Sequence, residues 1–353
     1  MKEAELQEAV SRGVSFLASG QLPSGQFGSK IRMRRVVDPA TGEPLVQDDP
    51  SPFTTAHITY SLEFVPLIAT RSMTARALDF FRREQTRCGL WRYANRESPL
   101  RRRTPPDVDD TACVSELLER IGGVAPANKN LLLLNRAPSG LFYTWMIPRA
   151  QATLDMAYWW TMLREQNYER TILFWRGSGA AKDDVQPVVN ANVLLYLGEC
   201  RETLPVVDYL VKVSREGREH EDKSYKDANA FYHAVSRCHY RGIGGLAGLR
   251  DPMMTRFADA AHSDGRIGQS ELQTALALCS LLNFDERAQQ LTDGAIDYLV
   301  RAQSQDGGWA YVPFCFDGRE DPVFEWGSRE LTTGFCVEAL ARVVQKSSRS
   351  RLP

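Results

Sequence analysis

The sequence predicts an all-α protein, a single (α/α)6 barrel spanning residues 1–353, on three observations. Six apolar helices open on one recurring pattern of a small polar residue followed by Ala or Gly. These six alternate with more polar helices. No β-rich segment longer than a short hairpin is visible, and a chain of this length buries a sizeable core.

The six starts are Thr54-Thr55-Ala56-His57, Asp110-Thr111-Ala112-Cys113, Val189-Asn190-Ala191-Asn192, Ala228-Asn229-Ala230-Phe231, Gln273-Thr274-Ala275-Leu276 and Thr332-Thr333-Gly334-Phe335. The run after each start is apolar nearly all round, as in Val193-Leu194-Leu195-Tyr196-Leu197, and such a helix is buried on every side. Between them, Glu3 to Ala18, Thr74 to Gln85, Glu202 to Ser214 and Glu286 to Gln303 carry charges at intervals that suit an outer ring. A second series ends three of those outer segments: Gln21/Gly25/Phe27, Gln85/Gly89/Trp91 and Gln303/Gly307/Trp309. Each is a helix ending in Gln, three residues, then Gly-x-aromatic. Pro138-Ser139-Gly140-Leu141-Phe142 is a shortened copy and Asp264-Gly265-Arg266-Ile267 a weaker echo. Here Gly supplies the turn, the aromatic plugs the next layer, and Gln ties neighbouring backbones. An open solenoid would use the same local pattern with unlike end repeats. The first and last repeats are the best matched, which favours closure. Extra material with Leu131 to Leu134 and Ala157 to Trp160 lies between the second and third inner helices.

One inner helix opens differently. Pro105-Pro106-Asp107-Val108-Asp109-Asp110 sets three carboxylates within four residues at its N-terminus. A cap needs one Asp, and Asp107 serves. Three together split their pKa values, one lowered by the helix dipole and another raised by its charged neighbours. A carboxyl so raised is a Brønsted acid. At the same mouth the repeat pattern gathers His57, Asn190, Asn192, Asn229, Glu271, Gln273, Glu330 and Thr332.

The stretch Asp107-Val108-Asp109-Asp110-Thr111-Ala112 resembles the Asp-x-Asp-Asp-Thr-Ala motif of class II terpene cyclases, the squalene–hopene and diterpene cyclase type. The Gln/Gly/aromatic series is similar to the Gln–Trp repeats of the terpene cyclase and prenyltransferase superfamily. The resemblance implies a linear isoprenoid substrate, with Asp109 donating a proton to a double bond or epoxide and Asp107 and Asp110 tuning it. It implies no required cofactor, with Mg2+ assisting where the substrate is a diphosphate. Aromatic faces stabilise a cation without capturing it, and the substrate-binding candidates are Trp145, Trp159, Trp326, Phe142 and Tyr232, with Asn192 as the polar one. Class II cyclases of this kind set their cavity between two barrels and this chain covers one, so completion by a partner subunit or by a second copy of the chain stays open.

Other chemistry is disfavoured. The 43 basic and 44 acidic residues balance to a net charge of -1, which gives no nucleic-acid footprint. The seven scattered cysteines include no Cys-x-x-Cys pair and read as core residues. No class I Asp-Asp-x-x-Asp motif occurs, and the prenyltransferase Asp/Cys/His zinc set is not recognisable, so no metal site is expected. Asp183-Asp184 and Glu221-Asp222 read as exposed pairs, while Arg101 to Arg103 and Lys182 are the cations for a phosphate. Lacking a signal segment or membrane span, the chain reads as cytoplasmic, with peripheral membrane contact left open. Two rivals remain, a non-catalytic barrel that acts as a binding or partner subunit and a carboxylate enzyme acting on carbohydrate.

Overall fold

The structure, a computed structural model, describes residues 3–98, 100–149, 155–165, 168–285 and 288–349. In chain order these form α1 (Glu3–Gly20), β1 (Lys30–Val37), β2 (Pro44–Asp48), α2 (Pro52–Leu62), α3 (Ile68–Glu84) and α4 (Val108–Arg120). Next come α5 (Lys129–Leu134), α6 (Met156–Glu165), α7 (Tyr168–Gly177), α8 (Pro187–Leu197), α9 (Leu204–Arg215) and α10 (Ala228–Tyr240). The chain ends with α11 (Arg250–Asp259), α12 (Glu271–Asn283), α13 (Gln289–Ala302), β3 (Pro313–Phe316), β4 (Phe324–Gly327) and α14 (Arg329–Arg349). Among the described residues no helix is long and apolar enough to cross a membrane.

All six expected apolar helices form. They are α2, α4, α8, α10, α12 and α14, and each packs on the next until α14 returns to α2. Every residue of α2 is buried. Their starts are well defined locally: proline opens α2 and α8, and Ser51, Asp107, Asp227 and Ser270 each accept a backbone N–H as N-cap. The more polar helices lie outside, α1 against α14 and α3, α9 against α8, α13 against α12. Each buries one stripe, such as Val206, Val207, Leu210 and Val213 on α9. The expected helix start at Glu286 lies outside the described residues.

One hydrogen bond joins the two repeat series. The backbone N–H of Phe27 donates to Thr55 Oγ1 at 3.0 Å, that of Trp91 to Thr111 at 3.1 Å, and that of Trp309 to Thr333 at 3.1 Å. The weaker copies do the same, Ile267 to Thr274 Oγ1 at 3.1 Å and Phe142 to Asn190 Oδ1 at 2.9 Å. At five of the six inner starts the small polar residue is thus the acceptor for the backbone N–H of the apolar plug in the preceding turn. Gln21 and Gln303 complete the tie: each donates to its own glycine carbonyl at 2.8 Å and to a neighbouring helix carbonyl at 2.9 Å, Met73 and Ala9 respectively. Gly25 and Gly307 have φ of 88° and 89°, and a Cβ there would sit 2.2 and 2.5 Å from a carbonyl oxygen, so glycine is required.

The all-α expectation needs correction. A four-stranded antiparallel sheet, in the order β2-β1-β4-β3, joins the two ends of the chain. Its register is reinforced by Lys30–Asp48 and Arg32–Glu325 ion pairs, both at 2.8 Å. β3 and β4 have four residues each, and the pairing that joins them to the first hairpin lies nearly 300 residues away, which leaves little periodicity to read.

The links between repeats predict that Thr333→Val destabilises the protein by about 1–3 kcal/mol through an orphaned buried Trp309 N–H, whereas Thr333→Ser stays near wild type. Urea denaturation of both variants checks this, and equal stabilities would show that these bonds do not hold the repeats together.

Candidate active site

The peptide before α4 is pinned on both sides. Pro106 and Val108 pair with Met146 and Thr144 through Met146 N–H to Pro106 O at 2.9 Å and Val108 N–H to Thr144 O at 2.8 Å. Asp107, the N-cap, accepts the Asp110 N–H at 2.7 Å. The first turn therefore faces inward, and Asp107, Asp109 and Asp110 are 4%, 8% and 2% exposed.

Asp109 is bound by neutral donors. Asn192 Nδ2 donates to Oδ1 at 2.6 Å, and the Tyr225 hydroxyl makes a short hydrogen bond to Oδ2. Behind Asn192, the buried guanidinium of Arg237 donates to its Oδ1 at 2.5 Å. That fixes the amide, because its oxygen faces Arg237 and its nitrogen must face the acid. Arg237 also lies over the Tyr60 ring, 5.0 Å from its centroid. Tyr225 is aimed by Asp222, whose Oδ1 accepts the Ser224 and Tyr225 N–H groups at 2.9 Å.

All three carboxyls titrate above the usual Asp range, and burial is the leading cause in each. Asp107 is pushed to about 6, with the Asp109 charge adding to burial and the Asp110 side chain and backbone opposing it. Asp110 goes well up, since after burial its largest cause is the Asp107 charge. Asp109 also rises, restrained by Tyr225, Asn192 and the Arg237 charge. The expected lowering of one member by the helix dipole is not found. A dipole contribution near 0.3–1 kcal/mol is smaller than the loss of hydration on full burial.

Aromatic rings pack against that of Tyr225. Its ring centroid lies 5.4 Å from Phe314 and 6.2 Å from Phe53, and Phe314 stands 5.5 Å from Phe335. His57 packs among them, 4.4 Å from Phe53 and 5.2 Å from Phe314, and neither of its nitrogens has a hydrogen-bond partner. Burial and the Arg237 charge hold it neutral. One turn beyond the acid, a void of about 10 Å3 is lined by His57, Tyr60, Cys113, Leu117, Leu195 and Arg237. It has room for about one water molecule.

Of the residues expected from sequence, Asp107, Asp109, Asp110 and Asn192 meet. Trp145 belongs to the rim: its backbone bridges Asp107 while its ring turns away onto Phe174 and Trp175 of α7. Trp326 sits on β4 and not in a loop, donating to Asp49 Oδ2 at 2.8 Å and stacking edgewise on Tyr93. Phe142 is the fully buried plug of the shortened repeat, and Trp159 packs half-buried on the core. Tyr232 is directed to the outer layer, its hydroxyl on Ser214 at 2.9 Å and Glu219 at 2.5 Å, because it lies one residue, about 100° of helix, from the inward His233. Asn190 and Asn229 bind backbone carbonyls at the repeat links. Asp184 and Asp222 are buried, not exposed. Asp184 takes Lys223 and the Ala181 N–H, and Asp222 takes three backbone N–H groups, while Asp183 and Glu221 are the exposed members of their pairs. Arg101 is committed to Glu84 at 2.9 Å.

No protein-family model and no curated protein matches the sequence. Solved structures do share the fold. A protein from Actinoplanes superposes with TM-score 0.70 at 21% identity, covering 98% of this chain and 100% of that one. The type II terpene cyclase MstE from Scytonema gives 0.69 at 16% identity, covering 98% and 99%. A variant of MstE in complex with geranylgeranyl dihydroxybenzoate, its substrate, gives 0.68 at 15%, covering 97% and 98%. At these identities the likeness is one of fold.

The raised Asp107 pKa carries a sign. A carboxyl that holds its proton more tightly when folded stabilises the protein fully below its unfolded value near 3.8, and that stabilisation is lost as pH rises through about 6. Asp107→Asn keeps an equally good cap and removes the titration. Urea midpoints from pH 4 to 7 are expected to fall more steeply for wild type than for the variant, and parallel profiles would refute the assignment.

Proposed function

We propose that the protein is a class II terpene cyclase on one (α/α)6 barrel, with Asp109 the general acid acting on a linear isoprenoid. The observation that carries this is a buried carboxyl held by an amide and a phenol, with Arg237 reaching it through Asn192 and aromatic rings packed on the phenol. The closed cycle of six helices supports the barrel. MstE, whose chain matches this one nearly end to end, supports a catalytic unit of this size without a second barrel.

In this reading the alkene π electrons form a C–H bond to the Asp109 proton, leaving a carboxylate and a tertiary cation. The next double bond attacks that cation, and ring closure continues until a proton is lost or water adds. Burial raises the proton affinity of Asp109, and the Asn192 and Tyr225 donors strengthen as charge appears on its oxygens. Arg237 orients Asn192 and favours that same carboxylate. Proton transfer needs no metal, and Mg2+ enters only with a diphosphate head group. The void of about 10 Å3 beside Cys113 is too small for an isoprenoid chain, so this reading requires interior side chains to rearrange when substrate enters. That same tightness is what a non-catalytic barrel would have, and it makes a scaffold the second reading.

Incubation with farnesyl diphosphate, geranylgeranyl diphosphate, squalene and geranylgeranyl dihydroxybenzoate, followed by mass spectrometry, separates the two. Cyclic products are expected with at least one substrate, falling by about 10³-fold in Asp109→Asn. No product from any of the four, in folded protein, favours the scaffold. Arg237→Gln is expected to lower kcat about 10- to 100-fold with KM little changed, since it acts on the acid through Asn192. An unaltered kcat would remove Arg237 from the mechanism.

A further inference from the structure

A second group of ligating side chains lies deeper among the inner helices, on the side farthest in sequence from the acid. His233 of α10, Cys279 of α12 and Glu338 of α14 are all buried, and one nitrogen, sulfur or oxygen atom from each lies within 4.8 Å of the other two. We propose that these three side chains bind a divalent d-block cation of the zinc type.

The ligand chemistry fits. Imidazole, thiolate and carboxylate are the donors a tetrahedral Zn2+ takes, and bonds near 2.0–2.3 Å set ligand atoms roughly 3.3–3.8 Å apart, within small side-chain rotations of the observed spacing. His233 is 1% exposed, yet its Nε2 has no hydrogen-bond partner. A buried ring nitrogen left so is costly unless something else satisfies it. Burial and the charges of Arg237 and Arg342 oppose protonation of the imidazole, leaving it in the form that ligates. The Cys279 thiol, pushed well up by burial and by the Glu338 carboxylate it hydrogen-bonds, also lies 3.9 Å from the Phe335 carbonyl and would give up its proton on binding.

Outer contacts of the kind that orient metal ligands are also present. Arg342 donates to Glu338 Oε1 at 3.1 Å and Ser61 to Oε2 at 2.9 Å, which fixes the carboxylate and leaves lone pairs on both oxygens. The Phe335 ring stands edge-on to His233 at 5.1 Å. Thiolate and carboxylate neutralise the dication, and the Arg342 charge is shared with the Phe64 and Tyr240 rings at 4.5 and 4.9 Å. The cation would clamp three consecutive inner helices, a structural role that does not depend on the cyclase reading.

The test uses untagged full-length protein from zinc-supplemented medium. Elemental analysis is expected to find about one zinc per chain. After removal of the metal, added Co2+ is expected to give a thiolate-to-cobalt band in the near ultraviolet. Cys279→Ser should abolish that band, His233→Gln should lower metal content at least tenfold, and Cys200→Ser should change neither. Circular dichroism verifies that each variant is folded, and the conservative serine decides where the glutamine variant is not. Wild-type protein with less than a tenth of an equivalent and no cobalt band overturns the proposal, as does metal retained equally in both variants.

Discussion

The structure depends on keeping three carboxyl groups out of water at one helix start without placing a cation directly against any of them. An isolated buried carboxylate costs several kcal/mol, more than a helix terminus returns. The protein distributes that cost unevenly. Asp107 gains a backbone N–H, Asp110 is pushed toward its neutral form by burial and the Asp107 charge, and Asp109 receives an amide and a phenol. An arginine directly on Asp109 would have removed its acidity by fixing it as an ion. With Asn192 interposed, the guanidinium charge reaches the acid weakened, and the carboxyl stays titratable.

That arrangement is set by the repeat links. Thr111 accepts from Trp91 and Asn190 from Phe142, so α4 and α8 are held at matching heights relative to the turns that precede them. Asp109 stands two residues before one anchor and Asn192 two residues after the other. The 2.6 Å contact between them comes from packing adjacent helices, α4 on α8, in that register. The residues that read as structural devices in the sequence thus determine the geometry of the acid.

The same dependence on register separates what the sequence disclosed from what it hid. The helices and Asp109, Asp107 and Asp110 were legible because each rests on a local pattern, periodic apolar residues or a run of like charge. Asn192 was legible through its place in the repeat. Tyr225 was not, lying in a Lys-Ser-Tyr-Lys-Asp loop that reads as solvated surface, and only the turn built on Asp222 points it inward. Arg237 sits in Ser-Arg-Cys-His-Tyr-Arg, a stretch that looks like an exposed face. Its burial is tolerable because Asn192 and the Tyr60 ring meet it, and both are distant in sequence. The sheet was hidden for the same reason, since β1 is paired by a strand at the other end of the chain.

The interior charges give the proposed reaction a direction. A carbocation near Arg237 would be repelled by a full charge in a medium of low dielectric, whereas Tyr225, Phe53, Phe314 and Phe335 offer ring faces. The two sides of Asp109 are therefore unequal: the Asn192 side leads to the guanidinium, and the Tyr225 side leads to the rings. Positive charge generated by Asp109 is favoured only on the second side, so the isoprenoid would lie with its growing cation against Phe314. His57 stands within that ring group as a neutral base with both nitrogens free. Burial and the Arg237 charge lower its proton affinity. A carbocation, far more acidic than Asp109 or an imidazolium, could still lose a proton to it.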